Sequence, residues 1–116
     1  AAGSIIGTWT SATVAAEWSY LEWPVSSADL EKLRGVRFIF TSGNHALEIE
    51  GVELLENGKV IARDQHAGLA GKPSHGNFYQ LSLPKGTHAN NGCSLRARVR
   101  SMGGKSSNGK LELVKE

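Results

Sequence analysis

Between Ser94 and Arg100 the chain alternates apolar and cationic residues with a period of two: Leu95, Ala97 and Val99 against Arg96, Arg98 and Arg100. Successive side chains of an extended strand point to opposite faces, so this segment turns its apolar set toward a core and its guanidinium groups outward. A helix would scatter the same residues around its circumference. The period recurs along the chain. Val36, Phe38 and Phe40 oppose Arg37, Ile39 and Thr41; Leu47 and Ile49 oppose Glu48 and Glu50; Phe78, Gln80 and Ser82 oppose Tyr79, Leu81 and Leu83. Period two is stronger throughout than any period of 3.6, which points to an all-β fold.

The punctuation agrees. Asn57-Gly58 suits a tight type I′ turn, in which both central residues need positive φ, so residues 46–55 and 60–63 should form a hairpin, with Gly51 marking a bulge. Ser42-Gly43-Asn44 and Pro84-Lys85-Gly86 stop strands, and residues 64–77, 87–92 and 102–109 read as loops before a last strand at 110–114. The first third is less regular. Ile5, Ile6, Trp9, Val14, Trp18, Tyr20, Leu21, Trp23 and Val25 suggest two or three irregular strands, and residues 28–33 one or two helical turns capped by Asp29 or Ser27. Roughly seven to nine short strands, with turns every 8–12 residues or so, indicate a sandwich or jelly roll. The expectation is one antiparallel β-sandwich of jelly-roll type over residues 1–116, with residues 1–4 a cloning remnant.

Composition narrows the function. At 116 residues the chain makes one domain, monomeric in isolation. Its apolar runs are far shorter than the roughly 20 residues that span a bilayer, and no basic-then-apolar signal opens it, so any export signal has been removed. The lone Cys93 excludes an internal disulfide and argues against a cysteine zinc cage. A net charge of +2, spread along the chain, gives no reason to expect nucleic acid.

The string Leu54-Leu55-Glu56-Asn57-Gly58-Lys59, followed by Ala62-Arg63-Asp64, His66, Gly68 and Gly71, carries a resemblance, together with Asn77, Tyr79 and Leu95-Arg96-Ala97. It resembles a β-sandwich accessory domain appended to catalytic domains of bacterial glycoside hydrolases, especially β-N-acetylhexosaminidases. The similarity covers residues 36–114, and Gly7-Thr8-Trp9-Thr10 looks like such a domain's opening. It departs at residues 102–109, where Met-Gly-Gly-Lys-Ser-Ser-Asn-Gly replaces an acidic loop. The resemblance implies a secreted, extracellular or periplasmic module that shares a chain with a catalytic domain. Such a module binds a glycan or packs on that partner.

The residues themselves bear on the choice. Glycoside hydrolysis normally needs two convergent carboxylates, and no pair stands out; Glu48 and Glu50 share a strand face more simply as a solvated pair. His45, His66, His75 and His88 lack zinc spacing. Calcium is the better metal: Asp64 and backbone carbonyls of residues 65–71 offer hard oxygens. Alternatively, Asp64 and Asn77 simply tie that loop together through its backbone. A pyranose packs its C–H face on an aromatic ring while its hydroxyls seek planar polar groups. Trp18 and Trp23 are the candidate platforms, with His66, His75, Asn77 and Asn90 as hydrogen-bond partners. Trp9, Phe38 and Phe40 read as core. Arg96, Arg98 and Arg100 project from one face about 7 Å apart. They are placed to hold sulfate or carboxylate groups of an anionic glycan, or else to pair with Glu48, Glu50 or Glu112 across strands, the favoured reading since an unopposed row repels itself.

Overall fold

The computed structural model describes residues 4–81, 83, 92–101, 103–104 and 106–115. Along them run β1 (Ser4–Trp9), β2 (Ser19–Val25), one helical turn α1 (Ser27–Leu30), β3 (Leu33–Gly43), β4 (Leu47–Glu56), β5 (Lys59–Ala70), β6 (Phe78–Gln80), β7 (Cys93–Ser101) and β8 (Ser107–Lys115). Two antiparallel sheets result, in the orders β1-β8-β3-β6 and β2-β7-β4-β5. The pairs β1·β8, β2·β7, β3·β6 and β4·β5 are nested, as if one long hairpin had been folded at its middle and wrapped into two layers. This is the jelly-roll arrangement.

The middle of that hairpin is the Asn57-Gly58 turn, whose φ values of 49° and 83° are both positive, as its chemistry requires. The register of β4 shifts between Ile49 and Gly51 against both neighbours, which is the expected bulge. Its effect is specific. Without the extra residue, Val52 and Leu54 would point out of the sandwich; with it, both join Leu47 and Ile49 in the core, while Glu48, Glu50 and Glu53 all remain outside.

Alternation in β7 is complete: Cys93, Leu95, Ala97, Val99 and Ser101 are buried between more exposed neighbours. Between the sheets Phe38 stands at the centre, its ring 6.0 Å from Trp9, 6.3 Å from Trp23 and 5.8 Å from Tyr79 in tilted or edge-on geometry, which aromatic quadrupoles favour. The Trp9 indole nitrogen donates to Ser107 Oγ at 3.0 Å, so even this fully buried ring has its polar atom satisfied.

Three details differ from the sequence reading, two of them for a packing reason. The strand expected at 60–63 continues through Ala70, because Gly68 lies where a Cβ would strike the Gly76 carbonyl and the Tyr79 hydroxyl; glycine here marks close approach rather than a loop. Likewise β8 starts at Ser107, since the Trp9 ring occupies the space above Gly109. The helical turn is capped by Ser26, whose Oγ accepts from the Asp29 amide at 3.2 Å, not by Ser27 or Asp29. Ser4 opens β1, where it pairs with Leu113 and accepts from Lys115 Nζ at 2.9 Å. Residues 1–3, 82, 84–91, 102, 105 and 116, including the stop at 84–86, lie outside the described residues. No helix among those described is long and apolar enough to cross a membrane.

Candidate functional site

The outer face of the β2-β7-β4-β5 sheet carries the alternate residues that the core leaves out. Cross-strand register sorts them into three ribs. In β7, Arg100 stands opposite Glu48, Arg98 opposite the Gly51 bulge and Tyr20, and Arg96 between Glu22 and Glu53. Trp18, just before β2, extends the outward parity of Tyr20 and Glu22, and lies beside Arg98 and Arg100.

Each arginine of the row has an acidic partner. Arg96 donates from Nε and Nη2 to Glu53 Oε1 at 3.1 and 2.6 Å. Arg98 Nη1 meets Glu50 Oε1 at 3.2 Å, and Arg100 Nη2 meets Glu48 Oε1 at 3.0 Å. The other oxygen of Glu53 accepts from Arg63 Nε and Nη2 at 3.0 and 2.7 Å. Burial alone would raise the Glu53 carboxyl, but the hydrogen bonds from Arg96 and Arg63, with their charges, outweigh it and hold the group below its ordinary range. The bond to Glu53 correspondingly raises Arg96. Glu53 is thus an ionised anchor, unsuited to general-acid work. The expected cross-strand pairing is observed for Glu48 and Glu50, whereas Glu112 lies on the opposite sheet and pairs with Arg37 at 3.3 Å.

Two aromatic rings lie over this lattice. The guanidinium carbons of Arg100 and Arg98 are 4.7 and 5.6 Å from the centre of the half-buried Trp18 ring, and that of Arg96 is 5.0 Å from Tyr20. Such contacts fix the rings at about 0.5–1 kcal/mol each when exposed. Tyr20 keeps 59% of its surface open to solvent. A shallow depression beside Trp18 is lined by Glu48, Glu50, Gln65, His66 and Ala67. The face therefore joins aromatic rings to planar donors and acceptors at close range, which is the chemistry that sugar hydroxyls and C–H faces require.

The structure gathers Trp18, His66, Arg96, Arg98 and Arg100 from the predicted set on or beside this face. Trp23 is a correction. It is only 7% exposed, packs edge-on against Phe38, and its indole nitrogen donates to the Thr8 carbonyl at 3.1 Å. Asn77 is also structural, its side-chain amide donating to the Phe38 carbonyl at 2.7 Å. His75 is exposed, and its backbone bridges Leu69, the β5 residue opposite Glu48, so it continues the Arg100–Glu48 rib beyond β5. His66 itself is only partly available: its ring stacks on Tyr79 at 4.0 Å, and Nε2 lies 3.0 Å from the Phe78 carbonyl. Asn90 and His88 lie outside the described residues.

Asp64 is bound to the protein. Its Oδ2 accepts from the Gln80 amide at 2.8 Å and lies 3.6 Å from His66 Nε2. Among the described residues, no group of three or more His, Cys, Asp or Glu gathers where a metal ion could sit. Asp64 therefore ties β5 to the Gln80 backbone of β6, and Asn77 holds the Phe38 carbonyl of β3, whereas the expected loop at 65–71 is mostly strand and is not what either side chain binds. Cys93 is buried at the start of β7, and burial, then the nearby Glu56 charge, pushes its thiol up, opposite to what a nucleophile needs.

Sequence reasoning missed Tyr20, Glu53 and Gln65. Parity would have found Tyr20, since it is two residues from Trp18 and three from Trp23, and so shares a strand face only with the former. Glu53 was hidden by the bulge, which brings it onto the face of Glu50 despite their odd separation. No protein-family model matches this chain, and no curated protein matches it at a significant level.

Proposed function

We propose that this domain is a non-catalytic carbohydrate-binding module of a secreted bacterial glycan-degrading enzyme, held on its substrate by the outer face of the β2-β7-β4-β5 sheet. The observation that carries this reading is the pairing of Trp18 and the open Tyr20 ring with a lattice of arginine and glutamate on one sheet face. The resemblance of residues 36–114 to accessory domains of glycoside hydrolases supports it. Such a module works through effective concentration: weak binding, in a range of about micromolar to millimolar, keeps an attached enzyme near its polymer.

A glycan array followed by affinity electrophoresis of the isolated domain tests the reading. Trp18→Ala and Tyr20→Ala should each weaken retardation at least about tenfold, the equivalent of roughly 1.4 kcal/mol of lost aromatic contact. Retention of full binding by the double variant would refute the site, and silence on every glycan would refute the function.

A second reading has its own observation. On the opposite sheet a groove of about 680 Å³ is lined by Leu30, Leu33, Phe78, Leu83 and Val114 beside Arg34 and Arg37. Phe78, 37% exposed, is half-covered by the Arg37 guanidinium at 5.7 Å. Glu31 and Gln80 share this lining, and its mixture of polar side chains around the exposed Phe78 ring is the character of a contact between two domains of one chain. Under this reading the domain is a structural accessory unit that binds no glycan, and Phe78→Ser would loosen an assembled enzyme without touching any glycan retardation.

A further inference from the structure

We infer that the Trp18–Tyr20 face selects neutral glycans and discriminates against sulfated or uronic ones, although its most visible feature is a row of arginines. The inference rests on reading that face as a sugar site and concerns the class of sugar it takes.

The row offers an anion little net charge. Arg96 and Arg63 share Glu53, Arg98 faces Glu50 and Arg100 faces Glu48, and Glu22 stands at the end of the Arg96 rib, accepting from Ser94 Oγ at 2.9 Å. Four guanidinium groups are therefore matched by four carboxylates on one face. A sulfate approaching Arg98 or Arg100 meets a carboxylate beside each of them, and like charges at such range oppose it. Displacing the carboxylate would leave it without its partner.

Hydroxyl groups meet no such conflict. A guanidinium carries five N–H donors, and Arg98 gives Glu50 a single one; the Glu50 carboxylate in turn keeps lone pairs free. Adjacent sugar hydroxyls can accept from the arginine and donate to the glutamate at once without disturbing the pair. Arg98 and Glu50 are the most open of these couples, with side chains 42% and 46% exposed, and they lie between the Tyr20 ring and the depression beside Trp18. The rings then take the C–H face of the same residue.

A glycan array that carries each backbone in neutral and sulfated form, read at low salt and in 0.5 M NaCl, tests this with the wild-type domain and Glu50→Gln, whose folding is checked by circular dichroism. The wild type should retain the neutral form of its best backbone over the sulfated one, with little loss in salt. Glu50→Gln uncovers Arg98 and should raise binding of the sulfated form by at least about fivefold, in a salt-sensitive manner. A wild type that prefers sulfated backbones and releases them in salt would overturn the selectivity while leaving sugar binding intact. Absence of binding to either form would overturn the sugar site itself.

Discussion

Replacing Glu53 by glutamine removes the anion that joins β4 to both of its neighbours. Four N–H groups reach its carboxylate, two from Arg96 at 3.1 and 2.6 Å and two from Arg63 at 3.0 and 2.7 Å, and the side chain is only 15% exposed. The Arg63 guanidinium is half in water, so its pair contributes about 0.5 kcal/mol. The Arg96 pair is more enclosed and is worth about 1.5 kcal/mol, in the range of hydrogen bonds to charged groups. Glutamine keeps one acceptor and turns an NH₂ toward the other arginine, so the net loss should be about 1–1.5 kcal/mol, or a fall in Tm of about 5 °C. The loss should depend on pH. Since the folded carboxyl is held below its ordinary value of 4.5, its stabilisation is fully present above that value and disappears as pH falls through the lower folded one. Urea unfolding of wild type and Glu53→Gln should therefore differ most near neutrality and converge in acid. Double-mutant cycles with Arg96→Ala and Arg63→Ala apportion the effect. Equal stabilities at pH 7, or a gap that persists unchanged into acid, would refute the reasoning.

Two further substitutions probe the packing that supports the site. Tyr79→Phe removes a hydroxyl that donates to the His66 carbonyl at 2.9 Å inside the sandwich; it should cost about 1–2 kcal/mol in urea titration and release amide exchange protection around residues 66–69. Gly109→Ala drives a methyl group into the Trp9 ring and should cost about 1–3 kcal/mol, with a changed near-ultraviolet circular dichroism signal from the displaced indole. A wild-type spectrum and stability for Gly109→Ala would refute the close packing of the Trp9 ring on this glycine.

Much of the fold was legible because period two is a local property. The strands around Phe38, Ile49 and Leu95 each declare their inner face in a few residues, and Asn57-Gly58 declares its turn outright. What the sequence concealed was non-local. Gly68 and Gly109 look like loop glycines until the Tyr79 hydroxyl and the Trp9 ring are seen against them, because the reason for glycine comes from another strand. The site followed the same division. The arginine row and Trp18 stood out in the sequence, whereas Trp23 looked equivalent to Trp18 until the parity of β2 separated them. Glu53 became a partner of Arg96 only through a bulge that shifts the register by one. Asp64 and His66, conspicuous as possible ligands, instead serve the backbone of β6: one accepts the Gln80 amide and the other faces the Phe78 carbonyl.

The nesting of the strands also sets an order of assembly. β4 and β5 are joined by a tight turn, and each successive pair encloses the ones before it, until the outermost contact, from Ser4 to Lys115, closes a separation of 111 residues. Loop-closure entropy makes that last contact expensive from an open chain and much less so once the inner strands have drawn its ends together. Folding should therefore run outward from the Asn57-Gly58 hairpin, at the slow rates of chains dominated by distant pairings. The outermost strands, last to join, then act chiefly on how quickly the folded domain comes apart.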